Sequence, residues 1–213
     1  MNLTVVTHTQ PSKGRDISRS VASVQRALPV GAKHAIIECE ENFIEARWEA
    51  RKLDEFICFV DDDDYISPGS LSLCMKALRN TSLGIAFTDE VSETPEGKVL
   101  STNARERTYG EMAVTPMSVH HLCVMRTSAI YEEVIDLAKE HKLAIEWLMK
   151  ATAGLIHGAV HVPIIGYHWV HHPEQHSKQV EWQAHFRKNV PLVTPKLQTL
   201  ARFNGPIPQL VLA

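Results

Sequence analysis

The sequence lacks several features that would each have indicated a definite class of protein. Its longest apolar runs, such as 56–60, are far too short to cross a bilayer. The first residues show no basic stretch followed by an apolar one, so we expect no signal peptide and a cytoplasmic location. A formal net charge of -3 over 213 residues leaves no broad basic field, which argues against duplex DNA or an anionic membrane as the main partner.

Cysteine pairs and glycine-rich loops are also missing. None of the four cysteines lies in a C-x-x-C pair, which argues against a zinc ribbon or a thioredoxin-type site and favours free, buried thiols. The segment 7–15 contains a single glycine, Gly14, and so does not form the glycine-rich phosphate loop expected of a nucleotidyltransferase.

The first 90 residues alternate between strand and helix patterns. Short apolar, β-branched runs are typical of buried strands, and they occur at 3–7, 35–39, 56–60 and 83–88. Helical patterns separate them, at 17–28, at 43–53 and from Ser67-Pro68 onward. This alternation predicts an α/β fold built on a doubly wound, mostly parallel sheet with right-handed crossovers.

The remainder of the chain is less regular, and no repeat or linker divides it. Strands are predicted at 99–102, 122–125 and 160–169. Helices are predicted at 128–139, 144–153 and 177–188, and a proline-punctuated tail follows. We therefore expect one continuous domain over 1–213, with a tail at 191–213.

The strongest chemical signal is a run of four aspartates after the third strand, Asp61 to Asp64. Like charges this close repel unless a cation lies among them, and a solvated acidic turn is the simpler alternative. In extended chain, residues i and i+2 share a face, so Asp61 and Asp63 would face one site. The carboxyl ends of parallel strands are where ligands bind in open α/β sheets. Hard oxygen ligands suit Mg²⁺ or Mn²⁺, and the spacing is not that of an EF-hand.

In this context the sequence resembles the family 2 glycosyltransferases, which have the GT-A fold of the nucleotide-diphospho-sugar transferase superfamily. Four segments carry the resemblance: the first strand at 3–7, A-R-W-E-A at 46–50, F-V-D-D-D-D-Y at 59–65, and Y-H-W-V-H-H-P-E-Q-H-S at 167–177. The sequence departs from the family pattern at Trp48, where the family often has Asn, and around Glu146, where the family usually has a Glu-Asp pair.

The resemblance implies a nucleotide-sugar donor, most simply a UDP-sugar, and a divalent ion, Mn²⁺ or Mg²⁺. It implies that residues 1–90 bind the donor and that 91–190 bind the acceptor. Asp63, Asp61 and His172 are the implied metal ligands, and a zinc site among the twelve histidines is the lesser option. The implied donor-binding residues are Thr7, Arg47, Asp61 and Asp62.

The acceptor hydroxyl needs a base, and a carboxylate is the economical choice. Glu146 is the candidate because it interrupts an apolar helical stretch, and Asp89, with its neighbour Glu90, is the alternative. Trp147 and Trp169 are candidates for stacking on a sugar. The resemblance implies single displacement with inversion at the anomeric carbon.

Three other functions stay open, and the oligomeric state is open as well. The acceptor, taken here as a saccharide, could instead be a hydroxymethylated base in DNA, although the net charge does not favour it. The chain could be a nucleotidyltransferase, or a module that binds nucleotide sugars without catalysis. The clustered charge of Asp61 and Asp63 argues against the last.

Overall fold

The computed structural model describes residues 2–100, 119, 122–172 and 180–203. Residues 201–203 are described as backbone only. The strands in these residues are β1 (Leu3–Thr9), β2 (Lys33–Glu38), β3 (Phe56–Phe59), β4 (Tyr65–Ile66), β5 (Ile85–Thr94), β6 (Gly97–Leu100), β7 (Cys123–Arg126) and β8 (Ala159–Val170). The α-helices are α1 (Ser18–Ala27), α2 (Phe43–Ala50), α3 (Ser70–Leu78), α4 (Glu133–His141), α5 (Ile145–His157) and α6 (Val180–Phe203). None of the described helices is long and apolar enough to cross a bilayer.

The strands form one curled sheet in the order β2-β1-β3-β7-β5-β8-β4, and β6 pairs with β5. β1 is parallel to β2 and β3, and β5 is parallel to β8. β7 is antiparallel to both β3 and β5, so these two strands point the same way. Five of the described strands therefore share one direction, and the prediction of a doubly wound, mostly parallel sheet is confirmed.

Alternating residues of the central strands contribute to two hydrophobic cores, one on each face of the sheet. Val6, Ile57 and Met125 lie in the core covered by α2, α4, α5 and α6. Their neighbours Val5 and Cys58 lie in the core covered by α1 and α3. This period of two is what a sheet buried on both faces requires. It also fixes which side chains at the strand ends face α2 and α5.

Several helix boundaries differ from the sequence prediction by a few residues, and two of these differences have an identifiable local cause. α3 begins at Ser70 rather than at Pro68, because Gly69 takes a left-handed conformation (φ 79°) immediately before it. α6 continues through Pro191 and Pro195 to Phe203 instead of ending near residue 188. Val193 and Leu197 are fully buried, and this burial outweighs the helix-breaking tendency of proline. Residues 191–203 are thus helix rather than tail.

Several predicted segments extend outside the described residues. They are the end of the 99–102 strand, residues 173–177 of the last family-like segment, residues 177–179 at the start of the 177–188 helix, and residues 204–213.

Candidate functional site

A cavity of about 780 Å³ opens where β1 and β3 end, between α2 and α5. Its volume lies in the range of roughly 300–1,000 Å³ that small-molecule sites occupy. All four clustered aspartates line it, as do Arg15, Arg47, Glu146 and Lys150. The position is the carboxyl edge of the parallel strands, where the sequence predicted a ligand site.

The four aspartates form a turn rather than an extended segment. β3 ends at Phe59, and the backbone N–H of Asp64 donates to the Asp61 carbonyl at 3.3 Å. The predicted alternation of faces from Asp61 to Asp64 therefore does not apply, because the chain reverses within these four residues. Asp61 instead contacts α2, Asp62 and Asp63 contact the loop after β1, and Asp64 contacts β8.

Asp64 fastens this turn to β8. Its carboxylate, on a residue only 2% exposed, accepts hydrogen bonds from the Tyr167 hydroxyl at 2.7 Å and from the backbone N–H of Val170 at 2.8 Å. The Tyr167 oxygen in turn accepts from the backbone N–H of Asp61 at 3.3 Å. Asp64 is thus an anchor that sets the position of Asp61 and of the end of β8.

Asp62 and Asp63 share one guanidinium, and Asp63 also contacts a histidine. Arg15 Nη1 lies 2.8 Å from Asp62 Oδ1 and 3.0 Å from Asp63 Oδ2. His172 Nε2 lies 2.5 Å from Asp63 Oδ2. Two of the three predicted metal ligands, Asp63 and His172, are therefore adjacent. Arg15 was not predicted from the sequence.

Two carboxyl groups of the turn are harder to ionise than exposed ones. Burial raises the pKa of Asp63, and the neighbouring Asp61 raises it further, against the opposing effects of His172 and Arg15. Burial also raises the pKa of Asp64 well above its ordinary value, with Asp61 and Asp63 adding to the effect. A cation beside them would favour the ionised carboxylates and so lower both pKa values.

Arg47 joins the turn to α5. Its Nη2 lies 2.8 Å from Asp61 Oδ1, and its Nη1 lies 2.7 Å from Glu146 Oε1. Burial alone would lower the pKa of Arg47, but Glu146 and Asp61 outweigh burial and raise it. Glu146 is only 5% exposed. The structure thus brings the predicted phosphate-binding arginine and the predicted base into one ion pair on the cavity wall.

Two predicted site residues, Thr7 and Asp89, are not among the described residues that line the cavity. Thr7 is fully buried, and its hydroxyl lies 3.0 Å from His34 Nε2. Asp89 Oδ1 lies 2.5 Å from His161 Nε2 on the adjacent strand. Strand alternation explains Thr7, because β1 runs to Thr9 and it is the neighbouring His8 that faces the cavity.

His8 is a cavity residue that the sequence analysis missed. It is 3% exposed, and its ring lies between Phe43 and Phe59, with ring centroids 5.8 Å and 6.0 Å away. Neither ring nitrogen has a partner with hydrogen-bond geometry among the described residues. Burial, followed by the charge of Arg47, lowers the pKa of His8 to about 3. The imidazole is therefore neutral near pH 7.

Aromatic side chains also line the cavity. Trp147 and Trp169, both predicted to stack on a sugar, line the cavity, and so do Trp182 and Phe186 of α6. The Trp182 and Phe186 rings stack at 4.3 Å, and Trp147 lies 5.9 Å from Phe186. Trp147 is almost wholly buried and belongs to the core, whereas Trp182 and Trp169 are half-buried.

The donor set suits a divalent ion that arrives with a substrate better than one held by protein alone. Over 2–100, 119, 122–172 and 180–203, no three histidine, cysteine or acidic side chains are grouped so as to hold a metal. Asp63 and His172 do supply two adjacent donors. Mg²⁺ typically takes one or two carboxylates, completed by substrate phosphates and waters. The residues fit such an ion.

Comparison with known proteins gives a structural likeness only. No family model matches the sequence, and no curated protein matches it. Among solved structures, S. aureus TarS 1-349 in complex with UDP-GlcNAc superposes with a TM-score of 0.59 at 14% identity, covering 94% of this chain and 70% of that one. The complex of the same fragment with UDP gives 0.56 at 15% identity, covering 98% and 68%.

These matches establish the fold. A further structure of S. aureus TarS 1-349 gives a TM-score of 0.56 at 16% identity, with 80% of this chain covered, and the chain spans 60% of that structure. At such identities the likeness shows the fold alone and not a particular family. The chain therefore has the GT-A-type fold of the TarS glycosyltransferase.

Proposed function

We propose that the protein is a metal-dependent glycosyltransferase that moves a sugar from a UDP-sugar to a hydroxyl group of a saccharide acceptor. The observation that carries the proposal is the aspartate turn, whose carboxylates line a cavity at the carboxyl edge of a GT-A-type sheet. TarS, which shares the fold, has been solved with UDP-GlcNAc and with UDP.

The donor diphosphate would lie against the turn. Asp63 and His172 are the proposed ligands of a Mn²⁺ or Mg²⁺ ion whose coordination substrate phosphates and waters would complete, whereas the predicted third ligand, Asp61, is paired with Arg47. That ion would act as a Lewis acid, stabilising negative charge on the leaving diphosphate. Arg15 and Arg47 are near enough to the same carboxylates to contact phosphate oxygens by charge-assisted hydrogen bonds. His8 is neutral, so it suits an uncharged part of the nucleoside rather than the diphosphate.

Glu146 is the proposed base. The acceptor oxygen would attack the anomeric carbon, the bond from that carbon to the diphosphate oxygen would break, and the acceptor proton would pass to Glu146. This scheme inverts the anomeric carbon. Asp89 is a weaker candidate because it is paired with His161 and is absent from the described cavity wall. Determination of the product anomer by NMR tests the scheme, and retention would reject direct displacement.

A thermal-shift panel of nucleotide sugars, with and without Mn²⁺, tests the proposed donor. A ligand that binds only the native state raises the melting temperature, so we expect a UDP-sugar with Mn²⁺ to give the largest rise. Asp63→Ala should remove the Mn²⁺-dependent part. Asp136→Ala, which changes an exposed aspartate of α4, serves as the matched control and should not alter the shift.

An acceptor assay separates the remaining choices. Purified protein, donor and Mn²⁺ would be incubated with saccharide acceptors and, in parallel, with hydroxymethylated DNA, and transfer would be followed by mass spectrometry. We expect transfer to a saccharide. Transfer to DNA alone would replace the proposed acceptor, and turnover of nucleoside triphosphates in place of nucleotide sugars would replace the proposed reaction.

A further inference from the structure

Arg47 binds two carboxylates that the proposed function assigns to opposite reactants. One end of its guanidinium contacts Asp61 at 2.8 Å, on the donor side, and the other contacts Glu146 at 2.7 Å, on the acceptor side. All three side chains line the cavity. A single planar group therefore spans the boundary between the two proposed subsites.

The two contacts differ in how open they are to replacement. The Asp61 side chain is 35% exposed, whereas those of Arg47 and Glu146 are 17% and 7% exposed. Charges are weakly screened in the buried pair and more strongly screened at the exposed carboxylate. An incoming anionic ligand would therefore compete most readily at the Asp61 end of the guanidinium.

The buried pair also limits what Glu146 can do as it stands. While Arg47 Nη1 lies 2.7 Å from its Oε1, that oxygen is occupied and is not free to accept a hydrogen bond from an acceptor hydroxyl. Lys150 lies one turn further along α5, and the thiols of Cys58 and Cys123 are also close enough to be affected by Glu146. Of the two cationic side chains named here, Lys150 belongs to the same helix as Glu146, and Arg47 comes from the donor side of the cavity.

One hydrogen-bond donor of Arg47 is not used. Its Nε–H is buried and has no hydrogen-bond partner among the residues that the structure describes. A rearrangement that satisfies this N–H is favoured, since unmade hydrogen bonds of buried groups are costly. A diphosphate oxygen beside Asp61 would supply the acceptor.

We infer that Arg47 is a positioning residue that couples the two subsites, so that binding of the nucleotide diphosphate draws the guanidinium toward the donor and loosens its hold on Glu146. The inference rests on the proposed function. Glu146 then becomes available to the acceptor hydroxyl only when the donor is in place. Because such coupling is reciprocal, weakening the Arg47–Glu146 pair must strengthen nucleotide binding.

The sign of that effect is the test. UDP affinity would be measured by calorimetry, with Mn²⁺ present and absent, for the wild type and for Glu146→Gln. We expect Glu146→Gln to bind UDP about five- to tenfold more tightly, the lower range of typical coupling. If Glu146 merely holds Arg47 in place for the phosphates, the same variant binds UDP more weakly, and the inference is overturned.

A double-mutant cycle excludes simple repulsion between Glu146 and the diphosphate. In an Arg47→Gln background, followed by NMR titration to reach millimolar affinities, Glu146→Gln should change UDP affinity less than twofold. Equal tightening in both backgrounds would indicate repulsion alone and would overturn the coupling. If Arg47→Gln binds no UDP at all, the sign in the wild-type background decides.

The chain contains a matched control immediately after the same helix. Arg51 Nη2 lies 3.2 Å from Glu132 Oε1, linking the residue after α2 to the residue before α4 outside the cavity. Glu132→Gln should leave UDP affinity unchanged. Native melting curves for each variant confirm folding. If the wild type binds UDP but Glu146→Gln does not bind it more tightly, only the coupling is overturned. If the wild type does not bind UDP, the proposed function is overturned as well.

Discussion

The buried His8 makes a specific contribution to the pH dependence of stability. Its pKa is about 3 in the fold, against 6.5 for an ordinary histidine. Below pH 6.5 the unfolded chain therefore binds a proton at this residue that the folded chain does not. Stability is accordingly full above pH 6.5 and falls as the pH decreases from there toward 3.

The magnitude follows from the shift. Each unit of pH inside this window costs about 1.4 kcal/mol, so acidification to pH 5 removes about 2 kcal/mol of the free energy of unfolding. His8→Phe keeps a ring between Phe43 and Phe59 but cannot titrate. For a chain of this size, 2 kcal/mol corresponds to a melting-temperature difference of about 4–8 °C.

The assay is chemical denaturation of both proteins at neutral pH and at pH 5. His34, His157 and His168, whose pKa values burial also lowers, are present in both and cancel. Between neutral pH and pH 5, we expect the difference in free energy of unfolding between His8→Phe and the wild type to shift by about 2 kcal/mol in favour of the variant. Val24→Ala, a core change on the other face of the sheet, is the control and should lower stability equally at both pH values. If the difference in free energy of unfolding between His8→Phe and the wild type is also the same at both pH values, the reasoning is refuted.

Three further predictions follow from the same contacts. Tyr167→Phe removes the hydroxyl that joins Asp64 to the turn, so it should lower the free energy of unfolding by about 1.5–3 kcal/mol in urea titrations; an unchanged midpoint would contradict this role. Gly84→Ala would place a Cβ 2.2 Å from the Ala153 carbonyl oxygen, and the cost should exceed about 2 kcal/mol, seen as a lower melting temperature. The partly exposed Cys39 should react with a thiol reagent in the native protein. The buried thiols of Cys58, Cys74 and Cys123 should react only on unfolding, since burial raises their pKa values; fast reaction of four thiols in the native protein would contradict this burial.

The alternation of strands and helices was predictable because each element carries its own periodic pattern. Residues 56–60 are apolar enough to identify a buried strand, and the aspartates that follow must then lie at its carboxyl end. The location of the site was therefore predictable as well. The period of two in β1 would have identified His8 as the cavity-facing residue if the strand had been extended to Thr9.

What could not be predicted depends on contacts between distant segments. Arg15 reaches Asp62 and Asp63 across more than 45 positions of sequence, and no local pattern marks such a pair. The ion pair between Arg47 and Glu146 is of the same kind. The passage of α6 through Pro191 depends on burial against other helices, which overrides local propensity.

The central claim is that the aspartate turn and His172 together hold a divalent ion against a nucleotide diphosphate. Mn²⁺ is paramagnetic and broadens the NMR signals of nuclei close to it, so a titration of backbone amide resonances with Mn²⁺, with and without UDP, tests this directly. We predict that the amides of residues 61–64 and of His172 broaden first, and that UDP makes this occur at much lower Mn²⁺ concentrations. Broadening that begins elsewhere, or that does not respond to UDP, would contradict the account.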